Sequence, residues 1–297
     1  MTVLLEQQYQ LGEDGLVFGG VTTTPYYVAK SDWGAPELRQ VDAAPPRSDG
    51  VRFGRDYLGG FTITFDINIV DRFSTVTARA AWSTMRAAWL DESVRTVTGA
   101  VVPLRYRLGG VVRRVYGRPR NIAHTGGTVT HGWIPVTAEF VAAEPVAYDD
   151  GEQTTLISIA PTGAGGFTAP ATAPWSAADV GPSTALVVTV DGDTPTWVCL
   201  DVYGPIVNPT VTVVDQWALT LGVSLAGDES VTIDPRPWAR SVRDNHGANL
   251  AGALTWGSPK LSDLRLPPGG HTIILAGTDT TGTARLQPRW RPAWAGR

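Results

Sequence analysis

Hydrophobic and polar residues alternate along much of this chain, with the two-residue period of a β-strand. In FTITFDINIV, Phe61, Ile63, Phe65, Ile67 and Ile69 fall on one face, which predicts a half-buried strand. GWIPVTAEFVAAEPVAY repeats the pattern, with Ile134, Val136, Ala138 and Phe140 together. LVFGGV and YYVAKSDW, near the start, are rich in β-branched and aromatic residues. Beyond residue 184 come ALVVTVDG, TWVCLDVYG, PTVTVVD, WALTLGVSL, ESVTIDPR, ALTWGSP and HTIILAG, with turn signals between them. That succession predicts an all-β sandwich. No repeat of fixed period is present.

One segment changes period. STVTARAAWSTMRAAWLDESVR, from Ser74 to about Arg95, predicts the one clear helix, with Ser74 as its N-cap. Ala78, Ala81, Trp82, Met85 and Trp89 make its apolar stripe, which is core packing rather than a ligand site. After it, VPLRYRLGGVVRRVYGRPRNI predicts a hairpin about Gly109-Gly110. A two-residue turn sets Leu108 opposite Val111, Leu104 opposite Val115, and Arg105 opposite Arg114. Like charges facing across a ladder are unfavourable. Residues 101–120 hold six arginines and no carboxylate, so an acidic group from another segment or another chain is expected nearby.

Two stretches fit neither period. GAPELRQVDAAPPRSDGVRFGRDYLGG is too rich in Gly, Pro and charge for a core element. A loop that long has a function of its own or docks on a partner. APTGAGGFTAPATAPWSAADVGPSTA has the composition of a linker or surface loop, and by composition alone a domain boundary falls near 160–184.

Composition narrows the function classes. With 297 residues, 43% hydrophobic and 18% charged, the chain can bury a core in two ordinary domains or one large β domain. The net charge is −4, with 15 basic and 16 acidic residues through position 150 and 9 and 12 after it. Neither half is a basic module, and binding that depends on phosphate neutralisation is not expected. Lys30 and Lys260 are the only lysines, a bias that hints at a GC-rich genome. Cys199 is the single cysteine, which excludes an intrachain disulfide. MTVLLEQQYQ lacks the basic and apolar regions of a secretory signal, and no apolar run has the length of a membrane span. The expectation is a soluble protein made in a cytoplasm.

No catalytic constellation stands out. His124, His131, His246 and His271 lack metal-ligand spacing, and HExxH, CxxC, GxSxG and Walker patterns are absent. GAGG at 163–166 and VDGDTP at 190–195 read as turns. No enzyme activity, cofactor or metal is expected. The 11 tryptophans raise the question of a sugar platform. Trp197, Trp217 and Trp256 lie in strand-like runs, where burial is the default. The terminal RLQPRWRPAWAGR reads as the returning strand of a hairpin after HTIILAG and TDTTG. Pro288 and Pro292 fit an edge or an exit, and Trp290 and Trp294 would cap the sandwich or pack on the first domain.

Together these passages carry a resemblance. PPRSDGVRFGRDYLGGFTITFDINIV before a helix, and GWIPVTAEFVAAEPVAYDD after it, resemble the N-terminal module of siphophage distal tail proteins. YGPIVNPTVTVV and LPPGGHTIILAG with the closing RPAW resemble that family's C-terminal galectin-like domain. The resemblance spans almost the whole chain. It implies a mainly β fold with one helix: an N-terminal β-sandwich or split-barrel-like ring module over 1–149, then a galectin-like β-sandwich over 150–297. It further implies a virion protein, a six-fold ring at the tip of a long tail. The partners would be further copies of itself, the tail tube protein, the tail hub protein and the tape measure protein. Arg105, Arg107, Arg113 and Arg114 become candidates for the contact between subunits. The alternative is a carbohydrate-binding or adhesin-type module that recognises host cell-surface glycan. The sugar-binding residues of galectins do not map onto this sequence, so the fold name alone does not bring that activity.

Overall fold

The alternating strand at Thr62–Val70 lies inside an antiparallel sheet, between Tyr26–Trp33 and Trp133–Ala142. It belongs to a computed structural model that describes residues 3–20, 24–70, 77–125, 132–159 and 185–296. The chain is mainly β and divides into two units. The first is Met1–Asp150 together with Trp294–Arg297, and the second is Gly151–Ala293.

In the first unit the sheet runs Val17–Gly19, Gln8–Leu11, Val102–Leu108, Val111–His124, Trp133–Ala142, Thr62–Val70, Tyr26–Trp33. Ile63, Phe65, Ile67 and Ile69 are buried, and so are Ile134, Val136, Ala138 and Phe140 across from them. This is the period-two face read from the sequence. The helix covers it, burying Ala78, Ala81, Met85 and Trp89. The Trp89 ring meets Phe18 and Phe65 edge-on, at centroid distances of 5.9 and 6.4 Å. The Tyr26 hydroxyl donates to the carbonyl of Ala81 at 3.0 Å.

The helical segment differs from its sequence reading. Ala78–Trp89 is one helix, capped by the Thr77 side chain, and Glu92–Arg95 is a second. Leu90 leaves helical geometry, and the Asp91 carboxylate restarts the chain by accepting from Ser93 N at 2.9 Å. The aspartate in mid-pattern was the available signal, because a short acidic side chain competes for backbone donors. Ser74 lies outside the described residues.

The second unit packs two sheets over one core. One is ordered Gln153–Thr154, Arg285–Trp290, Thr196–Tyr203, Ser230–Asp234, Ser241–Asp244. The other is ordered Ala185–Val190, Gly269–Thr278, Ile206–Val213, Trp217–Thr220. Val198, Leu200 and Val202 of the first share a buried cluster with Val211, Val213, Ile273 and Leu275 of the second.

The C-terminal hairpin expected from the sequence is not formed. Gly269–Thr278 pairs within one sheet and Arg285–Trp290 within the other, so the TDTTG turn carries the chain between sheets. Asp279 organises that turn. Its carboxylate accepts from Ala284 N at 2.8 Å and from the Thr281 amide and hydroxyl at 2.7 Å. Burial pushes the Asp279 carboxyl up, but these donors more than offset it and hold the pKa at about 2. Pro288 is not at a free edge either. It faces Leu200 on one side, and on the other its carbonyl accepts from Thr155 N at 3.4 Å. That outer side is broken between Gln153–Thr154 and Ile157–Ser158, so the donor that proline lacks falls at a gap in the ladder.

Cys199 is buried and lies 3.6 Å from an Asp234 carboxylate oxygen. Burial, with the neighbouring Asp234 charge, pushes its thiol up to about 12 despite Arg236 and Arg289 nearby. The native chain should therefore resist an aromatic disulfide reagent at pH 8 and take up one equivalent in denaturant. Rapid labelling of the native protein would contradict this burial.

Candidate functional site

The arginine hairpin has the register read from its sequence, with Leu108 opposite Val111, Leu104 opposite Val115 and Arg105 opposite Arg114. Gly109 and Gly110 take φ of 62° and 79°, the left-handed pair that a tight hairpin turn needs. Glu6 closes the turn from outside, its two carboxylate oxygens accepting from Gly109 N at 2.6 Å and Gly110 N at 3.0 Å.

Arg105 and Arg114 are both buried, 2% and 1% exposed, so their charges need partners inside the unit. The partner is Asp150. Arg105 grips it with two bonds, Nε to Oδ1 at 2.8 Å and Nη2 to Oδ2 at 2.5 Å. Arg114 shares Oδ1 through Nε at 3.0 Å and Nη2 at 2.6 Å. The remaining donors reach Gln10 from Arg105 and Glu13, at 2.5 Å, from Arg114. Two guanidiniums thus face two carboxylates and one amide. The expected acidic group comes from another segment of the same chain.

The electrostatics follow from the geometry. Burial raises the Asp150 carboxyl, yet bonds from Arg105 and Arg114 and their charges outweigh it and hold it below the usual aspartate range. Burial likewise works against the Arg114 cation, and Tyr116, Glu13 and Asp150 more than compensate, leaving its pKa raised.

Arg107 and Arg113 are placed differently. Arg107 donates to the Leu4 carbonyl at 3.0 Å, lies 3.9 Å from Glu6, and keeps a third of its side chain exposed. Arg113 lies over the Trp294 ring, 4.5 Å from its centroid, and donates to the Gly296 carbonyl at 3.2 Å. The Trp294 indole donates to Asp149 at 2.8 Å. Residues 294–296 therefore return to the first unit, whereas the sequence reading assigned 150–297 entirely to the second. Asp149 and Asp150, where the chain leaves this unit, and Trp294–Gly296, where it returns, are all held by arginines of one hairpin. Trp290 is buried in the second unit's core, so the two terminal tryptophans serve different units.

The long Gly/Pro-rich loop is a two-stranded arm. Leu38 pairs with Leu58, Arg39 with Tyr57 and Ala43 with Arg52, while Gly34 N donates to the Thr62 carbonyl at its root. Gly60 at the root passes so close to the sheet that a Cβ would stand 1.9 Å from the Ala142 carbonyl oxygen. The arm exposes Val41, Val51, Phe53 and Leu58, and Phe53 is 84% exposed. Beside the root lies a cleft of about 280 Å³ walled by Trp33, Pro36, Phe61, Tyr106, Pro145 and Ala295.

Among the described residues no group of three or more His, Cys, Asp and Glu is placed to hold a metal. His124 packs edge-on against Trp82, at 5.4 Å, and His131 and the GAGG stretch lie outside the described residues. Among the described residues no helix is long and apolar enough to cross a membrane. Of the three tryptophans expected to be buried, Trp197 is, Trp217 is half-buried, and Trp256 is 104% exposed. Trp256 sits in a turn closed by Ser258 N to the Thr255 carbonyl at 2.9 Å, not in a strand.

Replacing Asp150 with Asn leaves buried Arg105 without a carboxylate and Arg114 with Glu13 alone, at a cost of about 3–5 kcal/mol. The expected result is a fall in Tm on the order of 10 °C by calorimetry, and an unchanged Tm would contradict the shared-carboxylate account. Because the folded Asp150 pKa is depressed, the stabilisation is full above the unfolded value of about 3.9 and is lost as pH falls through the folded value. Wild type should therefore weaken between pH 5 and pH 2 more than Asp150→Asn does.

No protein-family model and no curated protein matches the sequence. Solved structures do match its fold. The Dit protein of phage SPP1, described as a paradigm of the hub adsorption apparatus in phages that infect Gram-positive bacteria, is 12% identical with a TM-score of 0.56, covering 96% of this chain and 98% of that one. A chain of the phage P2 baseplate in its activated conformation with calcium is 12% identical with a TM-score of 0.53, covering 95% and 97%. The strontium form gives 13%, 0.55 and the same coverage. Both units of this chain, in their order, thus have the fold of phage distal tail and baseplate proteins.

Proposed function

We propose that this protein is a structural component of the virion, the distal tail protein of a long-tailed phage. Six copies close into a ring at the tail tip through their first units and join the tail tube to the hub and baseplate. Tail tube protein and hub protein are the neighbours along the tail, and tape measure protein occupies the channel before DNA release. The reading is carried by one observation, a fold match that runs through both units and covers nearly all of both chains. The exposed apolar arm supports it, since such side chains gain by burial against another copy.

Among the candidate arginines, Arg107 is assigned to the subunit contact, because its side chain reaches solvent. Arg105, Arg113 and Arg114 act through the frame they hold. Charge reversal at Arg114 would therefore unfold the unit before it reported on assembly. The purified chain should assemble to six times its 31.7 kDa mass, with ring-shaped class averages. Arg107→Ala should weaken that assembly at a temperature where calorimetry shows the chain still folded. A chain that stays monomeric at high concentration, alone and with its tube and hub proteins, would overturn the reading.

A second reading, host glycan binding by the second unit, is favoured by Trp256. Its turn is pinned by Thr255 N to the Thr220 carbonyl at 3.0 Å and by Thr220 N to the Ser258 hydroxyl at 3.0 Å. A fully exposed indole on a turn pinned in this way offers its face to a sugar ring. Trp256→Ala should lose retention on host cell-wall polysaccharide if this reading holds, and equal retention would remove it.

A further inference from the structure

We infer that a cleft in the second unit binds the anionic group of an acidic carbohydrate polymer, a carboxylate or a phosphate carried by its repeat. The inference rests on the glycan reading above and names a ligand class, at a site other than Trp256.

The site follows from strand alternation. Along Arg285–Trp290, Leu286, Pro288 and Trp290 are buried, which turns Arg285, Gln287 and Arg289 to the outer face of the sheet. Thr196–Tyr203 pairs beside it, with Tyr203 opposite Arg285 and Asp201 opposite Gln287. Arg289 is satisfied by Asp201, at 2.6 Å, and by Glu152, at 3.6 Å. Gln287 is held from two sides, donating to the Thr154 hydroxyl at 3.0 Å and accepting from the Tyr203 hydroxyl at 3.3 Å. Arg285 is the exception in this row. Its Nε donates to the Thr283 carbonyl at 3.4 Å, and among the described residues no carboxylate pairs with it.

Arg285 borders a cleft of about 530 Å³, with Leu156, Tyr203, Pro205, Thr283 and Gln287 also in its wall. That volume lies in the ordinary range for small-ligand sites, roughly 300–1,000 Å³. No carboxylate lines it, although acidic residues outnumber basic ones 12 to 9 beyond residue 150. The one charge on its wall is positive, and an anion complements it. A guanidinium presents a planar fork that a carboxylate or phosphate matches with two parallel bonds. Tyr203, 38% exposed, and Leu156, 52% exposed, supply apolar surface for the C–H face of a sugar ring or a polyol stem. The Gln287 amide, fixed in orientation, keeps a second N–H for a hydroxyl. A free inorganic anion would use the arginine and leave the rest of this wall uncovered.

The test is titration calorimetry on the full chain with three probes: tetragalacturonate, a glycerol phosphate tetramer and neutral maltotetraose. One or both charged probes should bind at least tenfold more tightly than maltotetraose. Arg285→Ala, an exposed position, should weaken that binding about tenfold or more, the size of a lost charge-assisted hydrogen bond. Lys260→Ala removes an equal charge from another exposed position and should change nothing. Binding of tetragalacturonate alone assigns a carboxylate, binding of the glycerol phosphate tetramer alone assigns a phosphate, and binding of both assigns their shared chemistry. Equal affinity for charged and neutral probes, or charged-probe binding that survives Arg285→Ala, overturns the cleft. No binding of any probe overturns it as well. Retention on host polysaccharide that is lost in Trp256→Ala and kept in Arg285→Ala would leave the broader glycan reading standing without this site.

Discussion

The chain's exit from the first unit depends on one carboxylate shared by two buried guanidiniums. Asp150 neutralises Arg105 and Arg114, and they in turn fix the strand pair that carries Arg107 and Arg113. An ion group this deep is not a cheap source of stability, because desolvation consumes much of the Coulomb gain. What it supplies is position. A carboxylate with donors on both oxygens has one geometry, and it places the chain's exit on the hairpin. Arg113, with Trp294 and Gly296, fixes the return on the same strand. The second unit is thereby an insertion whose two chain crossings are tied to neighbouring arginines.

This explains which parts of the site could be read from residues alone. Register was legible, because a Gly-Gly turn and period-two alternation leave one way to pair Leu104 with Val115, and Arg105 opposite Arg114 follows. The conflict between those charges was legible too, and so was the need for an acid. Its identity was not, since Asp150 is 36 residues from Arg114 and nothing in local pattern ranks it above other carboxylates. The split role of the terminal tryptophans was hidden for the same reason. Strand pattern reports burial on one face, not which sheet provides the cover. Gly269–Thr278 and Arg285–Trp290 look like hairpin partners in sequence, and only the Asp279 turn reveals that they serve different sheets. Trp256 shows the opposite error. A short apolar run cannot be told from a turn when its neighbours are Thr, Gly and Ser.

The arm was visible as an anomaly rather than as a structure. Its composition excluded a core strand, and its length demanded a use. A two-stranded ribbon is marginal in water, so its persistence here owes much to the root, where Gly34 and Gly60 lock it to the sheet. Gly60 is confined there by the Ala142 carbonyl, which leaves no room for any side chain.

An exposed ribbon with apolar side chains is also an aggregation hazard, since free edges recruit other strands without specificity. This arm is built against that. Pro45 and Pro46 stand near its tip and remove donors, and Arg39, Arg52, Arg55 and Asp56 put charge along its edges. Arg55 lies over the Tyr57 ring, 5.3 Å from its centroid, which keeps part of the apolar surface occupied. Backbone pairing between arms is thus discouraged while single side chains such as Phe53 stay available. A surface that refuses ladders yet leaves apolar side chains open favours contacts defined by side-chain shape over strand pairing.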